Sequence, residues 1–348
     1  MKRLLSLLLL LTFFYSETKA QEGIPVFFDY LADNYYLVYP SLAGIGEGGK
    51  IRLTARQNWF DVENAPNLQT INANFRVGEN SGVGGIIFND ANGFHSQTGI
   101  KGTYAYHLKL GGDFRTLNQL SFGISGTALI SSLDETEFRS AQFDPAVVGT
   151  NVTASYFNAD FGLSYNFREF YSHFTVLNVL SSQRELFRRG RVDPDNLLVS
   201  NDLRVPRVDN LRRYLIAVGY VFGRNRTRIE PSLLFQLTEF TDERTIDINA
   251  KIYRDAGENT TLWGGLSYRR SFEGAQFIQN GSFGEQRLQL FTPIVGVNHK
   301  NLTFSYNYSY QSGSIIFDNG GFHQITLGYD IGQNSDKRYD CYCPAANN

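Results

Sequence analysis

Residues 157 to 167 read Phe157-Asn158-Ala159-Asp160-Phe161-Gly162-Leu163-Ser164-Tyr165-Asn166-Phe167. Odd positions are apolar; even ones are polar or glycine. Successive side chains of a strand point to opposite faces. One face of this stretch is therefore apolar along its whole length, and the other is wet or small. Residues 302–310 repeat the pattern, with Leu302, Phe304, Tyr306, Tyr308 and Tyr310 against Thr303, Ser305, Asn307 and Ser309. So do residues 120–127, with Leu120, Phe122 and Ile124 against Ser121, Gly123, Ser125 and Thr127. Aromatic-rich strands of about ten residues that alternate in this way fit a transmembrane β-barrel, with lipid outside and polar matter inside.

The amino terminus agrees. Met1-Lys2-Arg3 precedes the apolar run Leu4 to Phe14, and Thr18-Lys19-Ala20-Gln21 offers a small-residue cleavage site. This reads as a secretory signal peptide, residues 1–20, cut after Ala20. A membrane-anchoring helix needs about 20 apolar residues, more than this run holds. No cysteine lies near the cut, which argues against a lipoprotein anchor. No later segment is long and apolar enough to span as a helix. Mean hydropathy is negative, which argues against a helical membrane protein but suits a barrel whose strands are half lumenal. Aromatic residues make up 14%, with 20 Tyr and 28 Phe, and Tyr suits membrane interfaces where a ring and a hydroxyl are both satisfied. A net charge of -2 argues against a nucleic-acid partner. The two cysteines, Cys341 and Cys343, both lie in the tail, so no disulfide staples the core.

Strands are predicted near 50–60, 67–77, 82–89, 98–110, 118–130, 153–167, 169–180, 211–223, 227–238, 244–254, 260–270, 286–298, 300–310 and 321–332. This gives fourteen, with twelve or sixteen as the alternatives because strand ends shift by a few residues. The odd-numbered connections then include every long loop: 131–152, 181–210 and 271–285 among them. The even-numbered ones, such as 78–81, 168 and 299, are short. Outer-membrane barrels have short periplasmic turns and long outer loops, so this parity puts both termini in the periplasm. Pro231 and Pro293 fall inside strands and lack a ladder donor, so a bulge or an edge-like position is expected at each. Leu215, Val221 and Leu234 take lumenal phase, so something apolar is expected to pack inside. The candidate is the segment 21–49, which holds Ile24, Phe27, Leu31, Tyr35, Tyr36 and Leu42 before the first strand. It reads as a short helix or irregular plug in the barrel mouth, or else as an added interface strand. The resulting division is a signal peptide at 1–20, a periplasmic or plug segment at 21–49, a barrel at 50–332 and a periplasmic tail at 333–348.

The plug segment resembles the start of the PorP/SprF family of type IX secretion proteins from Bacteroidota. The matching positions are Gln21, Pro25, Phe28, Tyr30 and Asn34, then Tyr39-Pro40-Ser41-Leu42-Ala43-Gly44. The family has Asn at the position of Tyr39 and Tyr at that of Leu42, so the match is imperfect here. Arg56-Gln57-Asn58-Trp59 with Ala65-Pro66, Gly82-Val83-Gly84-Gly85 with Asn89-Asp90 and Gly93, and Tyr104-Ala105-Tyr106 continue the likeness. Asp144-Pro145, Gly162-Leu163-Ser164-Tyr165, Glu230-Pro231-Ser232, Trp263-Gly264-Gly265, Gly321-Phe322-His323 and Cys341-Tyr342-Cys343-Pro344 follow in order. The resemblance implies an outer-membrane barrel that acts as adaptor or anchor for secretion or surface attachment of cargo bearing a type IX C-terminal domain, gliding adhesins included. Its implied partners are that cargo domain or subunits of the secretion apparatus. The alternative is a passive outer-membrane channel or hydrophobic-solute transporter.

Candidate chemistry is sparse. His95, His107, His173, His299 and His323 show no metal-ligand spacing. His107 takes lumenal phase. Ser164 or Ser267 could pair with a histidine, but no Gly-x-Ser-x-Gly elbow occurs, and neither an enzyme activity nor a cofactor is expected. Loop 181–210 carries Arg184, Arg188, Arg189, Arg191, Arg204 and Arg207 beside Asp193, Asp195, Asp202 and Asp209. Guanidinium groups bind phosphate and carboxylate bidentately, so these arginines are candidate contacts for cargo or lipopolysaccharide; a solvated loop with internal ion pairs explains them equally. Cys341 and Cys343 sit too close in sequence for an unstrained disulfide in extended chain. The tail reads as inert, or as a handle for a periplasmic partner. Trp59 is predicted to face lipid.

Overall fold

The computed structural model describes residues 34–58, 65–111, 115–136, 149–180, 183–184, 208–209, 211–223, 226–239, 241–279, 282–312, 321–332, 341–343 and 345. Trp59, the expected signal peptide at 1–20, and Pro25, Phe28 and Tyr30 lie outside them. The strands are β1 Gly49–Asn58, β2 Asn67–Val77, β3 Ser81–Asn92, β4 His95–Lys109, β5 Asn118–Asp134, β6 Asn151–Phe167, β7 Phe170–Leu177, β8 Gln183–Arg184, β9 Val208–Asp209, β10 Arg213–Tyr220, β11 Thr227–Thr238, β12 Arg244–Asp255, β13 Thr260–Gln279, β14 Ser282–His299, β15 Leu302–Ser312 and β16 Phe322–Ile331. Fourteen of them close into one antiparallel barrel, sealed where β1 meets β16 from Gly49↔Ile331 to Asn58↔Phe322. The two-residue strands β8 and β9 pair only with each other. They tie together the base of the long connection after β7.

The alternation in the sequence becomes two faces. On β6, Phe157, Phe161 and Phe167 are exposed, while Asn158, Asp160, Ser164 and Asn166 are buried. The same split holds around the wall. Leu53, Ile100, Ile124, Ile252, Leu302 and Leu327 face out, and Arg52, Lys101, Ser125, Lys251, Thr303 and Thr326 face in. An apolar girdle all round the exterior is a surface for hydrocarbon, not water. Closure leaves no strand edge, so every strand finds a neighbour on each side without water.

Two expectations need correcting. Residues 271–285 do not form a long loop; β13 runs to Gln279 and β14 starts at Ser282. An antiparallel ladder satisfies its own backbone in water as in lipid, so the hairpin continues past the girdle. Twenty residues at roughly 3.3 Å each reach about 66 Å, far beyond a hydrocarbon core of about 30 Å even when tilted. Nor do the prolines insert a bulge. Phe291↔Tyr310 and Ile294↔Asn307 keep one register across Pro293, and Gly219↔Ser232 and the Phe222–Ile229 bridge keep one across Pro231. The ladder is merely interrupted, because a proline costs one donor and need not add a residue. The register shift occurs instead between Arg270 and Gly274 of β13.

The connections sort by rim. Arg168 and Lys300 take left-handed φ values of 53° and 51° in two-residue turns on one rim. The connections after β5 and β7 lie on the other, and the first residue of β1 starts at the short-turn rim. Two 3-10 turns, Tyr35–Leu37 and Pro40–Leu42, precede β1 and are buried inside the barrel near that rim.

Candidate functional site

The interior segment Asn34–Ile45 has no ladder of its own. Val38 and Tyr39 N–H donate to Tyr35 O at 3.2 and 3.0 Å, and Ala43 N–H donates to Pro40 O at 3.2 Å. Pro40 starts the second turn, where its missing N–H costs nothing. Gly44 ends it at φ +63° and donates its N–H to Asn74 Oδ1 at 3.0 Å. The wall meets this backbone with glycine. A Cβ on Gly123 would stand 2.3 Å from Pro40 C and Ser41 N, and one on Gly82 would stand 2.0 Å from Ala43 O. Those glycines, on the lumenal faces of β5 and β3, let main chain lie against main chain.

Side chains then lock the segment to the wall. Ser41 Oγ lies 2.6 Å from Ser164 Oγ, which lies 2.8 Å from His173 Nδ1, and the Tyr39 ring covers His173 at 4.6 Å. The serine–histidine pair foreseen at Ser164 therefore exists. Ser164 is 0% exposed beneath Ser41, so its oxygen holds the segment and faces no open cleft. Ser267 donates instead to Asn249 Oδ1 at 2.6 Å. His107 Nε2 lies 3.0 Å from Ala43 O, and its Nδ1 lies 2.9 Å from Ser121 Oγ. A carbonyl only accepts, so Nε2 carries the proton and the Ser121 hydroxyl donates to Nδ1. Tyr36 donates to Thr103 Oγ1 at 2.8 Å. Burial pushes the Tyr36 phenol up to about 12, slightly opposed by that bond, so it stays a neutral donor.

The densest polar node lies apart from the candidate residues of the sequence. Glu230 on β11 is 1% exposed and accepts three phenol hydrogens: Tyr35 at 3.2 Å, Tyr171 at 2.5 Å and Tyr253 at 2.5 Å. The Lys251 ammonium lies 4.4 Å from the Trp263 ring centroid, 5.0 Å from that of Tyr253 and 5.7 Å from that of Tyr35. Carboxylate and ammonium are thus each wrapped by aromatic side chains, the first by hydroxyls and the second by ring faces. Glu230-Pro231-Ser232 is one of the motifs in the sequence, and Glu230 shares the parity of the lumenal Leu234 on the same strand. Its partners come from residues 35, 171 and 253, and no local spacing relates them.

Of the tail, residues 341–343 and 345 are described, and they pack against the interior segment. Cys341 and Cys343 are buried, and both belong to the apolar cluster that holds Tyr35 to Leu42. Cys343 Sγ lies 3.6 Å from Asn166 Oδ1, and the Arg228 guanidinium lies 4.4 Å from the Tyr342 ring centroid. Apolar aromatic and sulfur-bearing groups at a water-filled mouth lower their free energy by folding back onto the segment already there. Burial first, and then the neighbouring Cys343, pushes the Cys341 thiol up to about 12. A small recess remains beside these segments, lined by Asn34, Tyr36, Gly44, Lys50, Asn74 and Ala345.

Paired charges also line the lumenal face of the wall, between neighbouring strands or across a single strand. Lys101–Asp160 at 2.6 Å, Arg269–Asp247 at 2.5 Å and Arg228–Asp255 at 2.6 Å hold strands together. Of the six loop arginines, Arg184 lies on β8, where only its backbone is described. Arg188, Arg189, Arg191, Arg204 and Arg207 lie outside the described residues. Nearby, Arg212 donates to Val179 O at 2.9 Å and pairs with Glu239 at 3.2 Å. Among the described residues no group of three or more His, Cys, Asp or Glu could hold a metal ion.

A family model described as type IX secretion system membrane protein PorP/SprF matches residues 19–329. No curated protein sequence matches significantly. Among solved structures, CdiB from Acinetobacter baumannii is similar with a TM-score of 0.45 and 9% identity, over 81% of this chain and 60% of its own. The monoaromatic hydrocarbon channel CymD gives 0.45 and 10%, over 84% and 90%. A Pseudomonas aeruginosa FadL homologue gives 0.45 and 9%, over 81% and 90%.

Proposed function

The chain belongs to the PorP/SprF family of type IX secretion system membrane proteins, and from that premise we propose a non-enzymatic adaptor that anchors cargo or secretion-apparatus components at the outer membrane. The observation that carries this reading is the occupied lumen. Residues 34–45 are locked to the wall by Ser41, Tyr36, Tyr35 and the Ala43 carbonyl, over glycines that leave their backbone no clearance. A diffusion pore needs a continuous wet path, whereas here the short-turn half of the lumen holds a packed segment and ion pairs. The whole stretch 21–49 then serves as a plug. What remains for partners is the two rims. The long-loop rim offers strand-supported hairpins and the arginine-bearing connection after β7. The short-turn rim offers both chain ends and faces the periplasm in this reading, with residues 333–348 on that side. Cargo with a type IX C-terminal domain, a gliding adhesin among the possibilities, or a ring subunit are the partners of this scheme.

The test has two arms. Barrel purified from outer membranes in mild detergent is expected to bring down a large secreted protein with a type IX C-terminal domain or apparatus subunits, identified by mass spectrometry. In planar bilayers it is expected to show no steady conductance. Recovery of the barrel alone together with a stable conductance would replace the adaptor with a channel.

A further inference from the structure

The Asn34–Ile45 segment and the Cys341–Cys343 segment meet inside the same mouth, and they are linked through the wall in two separate places. The first begins at the tail. The Tyr342 ring lies 4.4 Å from the Arg228 guanidinium, which pairs with Asp255 at 2.6 and 2.9 Å and lies 5.8 Å from the Tyr253 ring. The Tyr253 hydroxyl is bound to Glu230, and Glu230 also receives Tyr35 of the N-terminal turns. The second runs along β6. Cys343 touches Asn166, and two residues back on the same lumenal face Ser164 holds Ser41. Between the two contacts, Cys341, Cys343 and the turns share one buried apolar cluster, with Ala345 packed against it.

We propose that the Cys341–Cys343 segment and the Tyr35–Leu42 turns form one latch across the short-turn mouth, so that undocking either end loosens the other. The physical reason is mutual burial. The tail covers apolar surface of the turns, and the turns cover that of the tail. Removing one end exposes the other to water and relaxes the Arg228–Tyr253–Glu230–Tyr35 series that orients both. A partner that gripped the tail from outside would thereby reach the segment inside the barrel without entering it. This coupling is independent of which cargo, if any, the barrel anchors.

Coupling between two sites is reciprocal by linkage, so loosening either end must loosen the other. The full chain, folded in detergent, carries the test, with heat-modifiable migration on gels certifying the barrel in every variant. Modification of Cys341 and Cys343 by a maleimide-polyethylene glycol reports the tail. A single cysteine from Leu37→Cys, in a Cys341→Ser, Cys343→Ser background, reports the turns. Tyr35→Phe and Glu230→Gln loosen the turns; Tyr342→Ala loosens the tail. The latch requires roughly tenfold or greater acceleration of modification at the far end in both directions. Should Glu230→Gln fail to fold, Tyr35→Phe and Tyr342→Ala complete the comparison. Acceleration confined to the mutated end, or to one direction only, overturns the proposal.

Discussion

Cys341 illustrates how little a residue's neighbours in sequence say about its chemistry. In an extended tail its thiol would titrate near the ordinary value of 9.0; buried against Cys343 it is held up to about 12. The folded state therefore keeps a proton that the unfolded chain gives up. Stability is unaffected below about pH 9 and falls as pH rises from about 9 towards 12, because deprotonation then favours the unfolded state. The thermal midpoint is expected to drop over that window in the native protein, and to drop less in Cys341→Ser. Alkylation by iodoacetamide at pH 8.5 is expected to be much slower in the folded barrel than after boiling in detergent. Equal rates would place the thiol in water. Glu230 teaches a related lesson. Its inward phase was readable from β11, but its three phenol donors arrive from other parts of the chain.

At the scale of elements, strands were the legible part. Each of the fourteen barrel strands overlaps a predicted one, and the clearest, β5, β6 and β15, carry an apolar–polar alternation that is printed locally. Their ends were less legible. The alternation loses one partner, lipid, where β13 and β14 leave the membrane, while backbone pairing continues to Gln279 and Ser282. Closure of the first strand on the last rests partly on Arg52 and Asp330, 2.6 Å apart with side chains 1% and 8% exposed. Asp330→Asn leaves the buried guanidinium without its carboxylate. That substitution is expected to cost about 3–5 kcal/mol, whereas Arg52→Met with Asp330→Leu recovers much of it by putting packed apolar groups in place of the charges. Urea unfolding of the refolded barrel in detergent measures both, and an Asp330→Asn midpoint equal to the native one would show that the seam does not depend on this pair.

For the molecule as a whole, the apolar exterior is the property that chooses a membrane. Ile248, near the middle of β12, is 50% exposed, while Asn249 beside it is buried in the lumen. Ile248→Arg is expected to cost about 2–4 kcal/mol if that position lies near the bilayer midplane. The change should reduce the heat-modifiable folded fraction in outer membranes; Asn249→Ser should leave that fraction nearly intact. Similar yields for the two would contradict the assignment of faces.

The sequence alone determined that strands with one apolar face form an outer-membrane barrel of about fourteen strands, and its motifs carry the family resemblance. Alternation at a period of two and the order of motifs are properties of neighbouring residues, so they can be read along the chain. Only the tertiary structure decided that Tyr35 would reach Glu230, that Ser41 would lie on Ser164 and that the tail would return to the mouth it left. These contacts join residues 195, 123 and 177 positions apart, counting Cys343 to Asn166 for the last. Such pairs become neighbours only after the wall has curved shut, and closure is a cooperative outcome of all fourteen strands that no single stretch encodes.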